Sequence, residues 1–117
     1  MGLGIWIVPE TIRTNVGTAS TYASTSPDAT LGGPLLFQAR YLKFTNLTNA
    51  TLMVSWDGIH DHFIYPPDSF DVIDVTAMRA RYDGAFGSIG TQFYVRYVGD
   101  PAGSGLMYLS VLYARGN

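Results

Sequence analysis

Residues 55–63, SWDGIHDHF, bring His60, Asp61 and His62 together in a row, with Asp57 just ahead of them. In an extended strand, residues i and i+2 share a face. His60 and His62 would then hold two imidazoles on one side of a hairpin. Asp57, or a carboxylate from a nearby loop such as Asp71, would complete a set of three nitrogen and oxygen ligands of the kind zinc or iron accepts. The plainer reading makes Asp57-Gly58 a tight turn, because a type I′ turn needs positive φ at both central residues. The histidines then lie on the exposed second strand of that hairpin, where Ile59 and Phe63 find some cover. If this tip lies at an interface, protonation of the histidines would make the contact pH-sensitive.

A strand-borne His-x-His pair does bind metal in cupin-like jelly rolls, but such sites normally take a further histidine, and this chain has two in all. A metal set would have to close with carboxylates alone, so the expectation is no metal and no cofactor. Other chemistry fares no better. The serines of GTASTYAS and AGSGL lack the following helix and the oriented base that a nucleophilic serine requires. Asp71 and Asp74 are three apart, so on a strand they face opposite ways and do not form an acid–base pair. The pieces GLG, GAFGSIG and GSG match neither the dinucleotide nor the phosphate-loop pattern. No enzyme is expected. Trp56, Tyr65, Tyr94 and Tyr108 could stack on sugars, although the same rings also suit a core.

The composition points towards assembly. The chain has 117 residues, a formal charge of −2 and no cysteine, which excludes thiolate ligands, thiol nucleophiles and disulfides. Lys43 is the only lysine, and the arginines are scattered from Arg13 to Arg115. A nucleic-acid binder normally carries a clustered basic footprint, so no nucleic-acid partner is expected. Charged residues make up 14% of the chain, whereas hydrophobic residues make up 47% and there are eight tyrosines. That charge content is well below the quarter or so usual for soluble domains. Such a chain has more apolar surface than a monomer readily covers, and exposed apolar patches mark interfaces. The N-terminal run GLGIWIVP is too short to span a bilayer and lacks a basic leader, so no membrane partner and synthesis in the cytosol are expected.

The elements that would position these residues have period two. YLKFTN sets Leu42 and Phe44 on one face. TLMVSWD turns Leu52, Val54 and Trp56 inward, TQFYVRYV does the same with Phe93, Val95 and Tyr97, and LMYLSVLYAR with Met107, Leu109, Val111 and Tyr113. Alternation rich in aromatic and β-branched residues predicts half-buried strands. Asp57-Gly58, Asp83-Gly84, YPPDS and GDPAGSG supply the turns, and Asp74–Tyr82 has room for one or two helical turns at most. Asn46-Leu47-Thr48 and Asn49-Ala50-Thr51 read as turn residues by composition. Short strands with turns every 8–12 residues or so predict an all-β protein, a sandwich or a barrel.

Residues 15–34, NVGTASTYASTSPDATLGGP, are nearly uncharged and long for a structureless connection. Residues 1–34 are read as an N-terminal strand and an extended arm, and residues 35–117 as the sandwich, within one compact domain. The arm would order against a neighbouring subunit, with Trp6, Ile7, Tyr22 and Leu31 as its contacts and Trp6 and Ile7 on a strand that could pair with another chain. The tip Asp57–His62, including His60, would be open to a neighbour.

The run FTNLTNATLMVSWDGIHDHFIYPPDSFDVIDVT (residues 44–76), followed by GTQFYVRYVGDPAGSGLMYLSVLYARGN (residues 90–117), resembles small virion structural proteins of tailed bacteriophages. The shared features are a strand ending in N-x-T, a V-S-x-D-G hairpin, a P-x-x-S loop and a closing G-T-x-F-Y-V-R-Y strand pair. They span roughly the C-terminal two-thirds of the chain. The resemblance implies an antiparallel β-sandwich or jelly-roll subunit that assembles symmetrically on a virus particle as a capsid decoration (cement) protein. Its partners would be further copies of itself and the major capsid or another virion protein, and its location the virion, assembled in the host cytoplasm. The alternatives are a head–tail or tail adaptor and a carbohydrate- or receptor-binding sandwich.

Overall fold

The computed structural model describes residues 5–23, 25–75 and 87–116, and the side chains of residues 7–23, 25–75 and 87–114. Eight strands follow in order: β1 (Ile5–Pro9), β2 (Arg13–Asn15), β3 (Ala39–Asn46), β4 (Thr51–Ser55), β5 (Phe63–Tyr65), β6 (Ser69–Asp74), β7 (Tyr94–Val98) and β8 (Met107–Gly116). No helix occurs among the described residues. The strands form two sheets, a larger one in the order β1-β8-β3-β6, with β2 also on β8, and a smaller one in the order β5-β4-β7. All named pairings are antiparallel. The protein is an all-β sandwich, as the alternation predicts.

The alternation also fixes which side chains meet between the sheets. Leu42 and Phe44 of β3 and Met107, Leu109 and Val111 of β8 face Leu52 and Val54 of β4 and Val95 of β7, all fully or almost fully buried. Phe44 is the hub. Its ring lies 5.3 Å from that of Phe93, 5.6 Å from Tyr65 and 6.0 Å from Phe63, so one larger-sheet side chain touches three aromatics on the facing side. Burying a phenylalanine contributes about 1.5–3 kcal/mol, and each favourable ring pair adds roughly 0.5–1.5.

The N-terminal third differs from the expected arm. Strand β1 pairs with β8 of its own chain, Trp6 opposite Arg115 and Ile7 opposite Ala114. The contacts of the Trp6 side chain lie outside the described residues, while Ile7 is half exposed. Residues 19 and 29–31 line the open edge of β7. Tyr97 N–H donates to Ala19 O, Val95 N–H to Ala29 O and Leu31 N–H to Phe93 O, each at 2.9 Å. Thr30 bridges Tyr94. An uncovered edge strand is a template for unwanted pairing, and these residues cover it. Leu31, expected as a contact for a neighbour, is instead a core residue at 0% exposure. The backbone bonds on either side of it turn its side chain between the sheets, something a stretch of Gly, Thr and Ala does not announce by periodicity.

Two asparagines brace this arrangement. On β2, Asn15 Nδ2 donates to Asp28 O (2.9 Å) and Thr30 O (2.8 Å), and Oδ1 accepts from Gly17 N–H (2.7 Å). On β3, Asn46 Nδ2 donates to Ala50 O (2.9 Å) and Tyr65 O (2.8 Å), and Oδ1 accepts from the amide and hydroxyl of Thr48. Both lie opposite Met107 of β8, on its two sides. Asn46 and Thr48, both buried, thus tie the sheets together, while Leu47 between them is exposed. Asp83-Gly84, and most of the short helical segment allowed at residues 74–82, lie outside the described residues.

Candidate functional site

Strand β4 ends at Ser55 and β5 begins at Phe63, so seven residues, 56–62, connect them. This is not the two-residue turn that Asp57-Gly58 implied. Gly58 has φ of 76°, whereas Asp57 is not among the described residues with positive φ, so a type I′ turn does not form. Instead, Asp57 folds the loop around its own carboxylate. Oδ1 accepts from the amides of Ile59 (2.8 Å) and His60 (2.9 Å) and from the Ser55 hydroxyl (3.0 Å). Ser55 Oγ in turn accepts from Gly58 N–H at 2.9 Å. Gly58 is needed twice over, because a Cβ there would meet the Tyr94 ring at 3.1 Å and φ is left-handed.

With Oδ1 occupied, Oδ2 of Asp57 faces the histidines, 2.8 Å from His60 Nδ1 and 3.9 Å from His62 Nε2. The three residues each offer a ligand atom within 4.8 Å of the others. The pair sits on a loop rather than on a strand, and the closing carboxylate is Asp57; Asp71, the alternative, lies on β6 opposite Phe44. The hydrogen bond from His60 and the amides of His60 and Ile59 hold the Asp57 carboxyl well below the usual carboxylate range. Trp56 contacts both ring nitrogens of His62: its indole N–H points to Nε2 at 3.0 Å and its amide points to Nδ1 at 3.2 Å. A neutral imidazole offers one nitrogen lone pair, so only one of these contacts is a hydrogen bond at a time.

Asp61 points the other way. Arg96 of β7 grips it with Nε (3.0 Å) and Nη2 (2.6 Å), and the Tyr22 hydroxyl donates to it as well. The Arg96 guanidinium and the Tyr22 hydrogen bond hold the Asp61 carboxyl below its ordinary value. Burial, followed by the hydrogen bond to Asp61, pushes the Tyr22 phenol up. Tyr22 packs edge-on to Tyr94 with ring centroids 6.1 Å apart. Tyr22 is therefore a contact, but within its own chain. The sequence singled out Tyr22 and placed Arg96 on an outward face, but gave no sign that Asp61 joins them.

An open cleft of about 460 Å³ lies beside the loop, between Trp56, Asp57 and Tyr94 and the turn at residues 88–92. A different surface lies on the outer face of the larger sheet. There the register sets Phe70 beside Thr45, Val72 beside Lys43, Lys43 beside Ser110 and Tyr41 beside Leu112. Tyr41, Lys43, Val72, Ser110 and Leu112 line a shallow depression of about 370 Å³. Phe70 and Val72 are 66% and 54% exposed. Lys43 Nζ lies 5.1 Å from the Phe70 ring, so even the central charge rests on carbon.

The fold and site together define an all-β sandwich with Phe70 and Val72 exposed on the outer face of one sheet and a loop-borne cluster of two histidines and an aspartate on the other. No family model, curated protein or solved structure matches the chain.

Proposed function

We propose that this chain is a non-enzymatic structural subunit of a virion, of the capsid-decorating kind, which holds to neighbouring copies through the outer face of its larger sheet. The observation that carries this reading is the exposure of Phe70 and Val72 on an outer face that they share with Tyr41, Lys43, Ser110 and Leu112. A lone exposed valine needs no explanation, but a contiguous apolar face does. The resemblance of residues 44–76 and 90–117 to small phage virion proteins supports the same reading.

Its size fits repetition rather than a tight pair. Strand β3 has eight residues, and four strands at about 4.8 Å spacing and 3.3 Å per residue give a face of roughly 500 Å². A stable interface takes about 800 Å² from each partner. One such contact is weak, but many around a shell add avidity. A head–tail or tail adaptor would use the same face in a smaller ring. The cleft beside Trp56 and Tyr94 favours a second reading, carbohydrate binding, because aromatic walls with polar groups at the rim suit a sugar.

The test is protein mass spectrometry of purified particles of the virus that encodes the chain. The expected result is a stoichiometric chain in wild-type particles and its loss on Val72→Glu, with particles that open at lower temperature. A chain absent from wild-type particles overturns the reading. So does a Val72→Glu chain retained at wild-type level.

A further inference from the structure

We propose that Asp57, His60 and His62 form a binding site for one divalent transition-metal ion of the zinc type, which goes beyond the assembly reading and does not depend on it. Three observations carry it. The first is convergence: Asp57, His60 and His62 come from one short loop, and each offers a ligand atom within 4.8 Å of the others. The second is preparation of the carboxylate. Oδ1 is fixed by two backbone amides and the Ser55 hydroxyl, so Oδ2 is held towards the two rings. Oriented ligands of this kind distinguish a built site from a chance cluster, because partners behind the ligands set their aim. The third is fit. Zinc–ligand bonds of about 2.0–2.2 Å place tetrahedral ligand atoms about 3.4 Å apart. The observed separations of 2.8 Å for His60 and 3.9 Å for His62 straddle that value.

The donor set selects the metal. Two imidazoles and one carboxylate suit zinc, copper, nickel or iron(II), and are too nitrogen-rich for calcium or magnesium. The ion would take the place of the hydrogen bond between His60 Nδ1 and Asp57 Oδ2, with the His60 ring then carrying its proton on Nε2. It would also take the Nε2 lone pair of His62, which now faces the Trp56 indole N–H at 3.0 Å. The indole must give way, and Nδ1, then protonated, turns from the Trp56 amide. A fourth coordination position stays open to water or to a side chain from a neighbouring molecule.

The experiment is titration of zinc ion alone into the full chain carrying Trp6→Phe, read by Trp56 fluorescence and by native mass spectrometry. The expected result is one bound zinc with a saturable change in Trp56 emission. His60→Ala, a change at an exposed loop position, should weaken binding at least about 100-fold, and Ser55→Ala roughly 10-fold through the carboxylate it steadies. No stoichiometric binding overturns the proposal. Binding retained by His60→Ala/His62→Ala, or one bound zinc with unaltered Trp56 emission, places the ion elsewhere and overturns it equally.

Discussion

On the smaller sheet, the row Ile64–Met53–Arg96 faces outward, and Arg96 reaches up to hold Asp61 of loop 56–62 and lies under the Tyr22 ring. On the larger sheet, the row Val72–Lys43–Ser110 faces outward as well. The two rows are alike in composition, each with an aliphatic residue and one cation. They differ in what the cation does. Arg96 presents a planar fork that a carboxylate fills with two hydrogen bonds, so it pins a loop. Lys43 is a point charge on a flexible stem, and it lies against Phe70 and leaves the face open. One face thus recruits its own chain as cover, while Phe70 and Val72 on the other stay exposed.

This contrast is broken most severely by removing what joins the sheets. Asn46 belongs to β3 of the larger sheet and bonds carbonyls at the start of β4 and the end of β5 in the smaller one. Asn46→Ala leaves buried carbonyls and the Thr48 amide unpaired, a loss of about 3 kcal/mol. Thermal unfolding should show a melting temperature lower by at least about 10 °C. A shift of a degree or two would mean that the sheets hold together by packing alone.

The cover on the smaller sheet is worth less. Arg96→Ala removes a bidentate pair whose side chains are 29% and 34% exposed, so stability should fall by only about 0.5–1 kcal/mol. The sharper readout is amide hydrogen exchange, which should speed up in residues 56–62 and 16–23 and stay unchanged in β3 and β8. Exchange that rises evenly across the molecule would show the pair to be part of the global frame.

How much of this was legible in the sequence follows the same divide. Strands β3, β4, β7 and β8 bury alternate residues, so Leu42, Phe44, Leu52, Val54, Val95, Met107, Leu109 and Val111 could be placed inward before any coordinates. Backbone held by side chains has no such period. Asp57-Gly58 has the composition of a tight turn, yet the Asp57 carboxylate accepts three hydrogen bonds and opens it to seven residues. Asn15 and Asn46 are polar residues with turn-like neighbours, and only their carbonyl partners from distant segments make them interior braces. Leu31 was read into an arm because Gly, Ser and Thr surround it, whereas pairing along β7 drew it into the core. The His60–His62 pair was visible as a candidate; the aim of Asp57 Oδ2 at both rings was not, since it depends on the loop's own hydrogen bonds.

The most direct measurement is sedimentation velocity of the full chain over a wide concentration range, comparing wild type with Val72→Glu and with Ile64→Glu. Both positions are exposed and aliphatic, at 54% and 55%, one on each outer face. The account predicts reversible association of the wild type that Val72→Glu abolishes and Ile64→Glu leaves intact. Association lost equally in both variants, or a wild type that stays monomeric throughout, would contradict it.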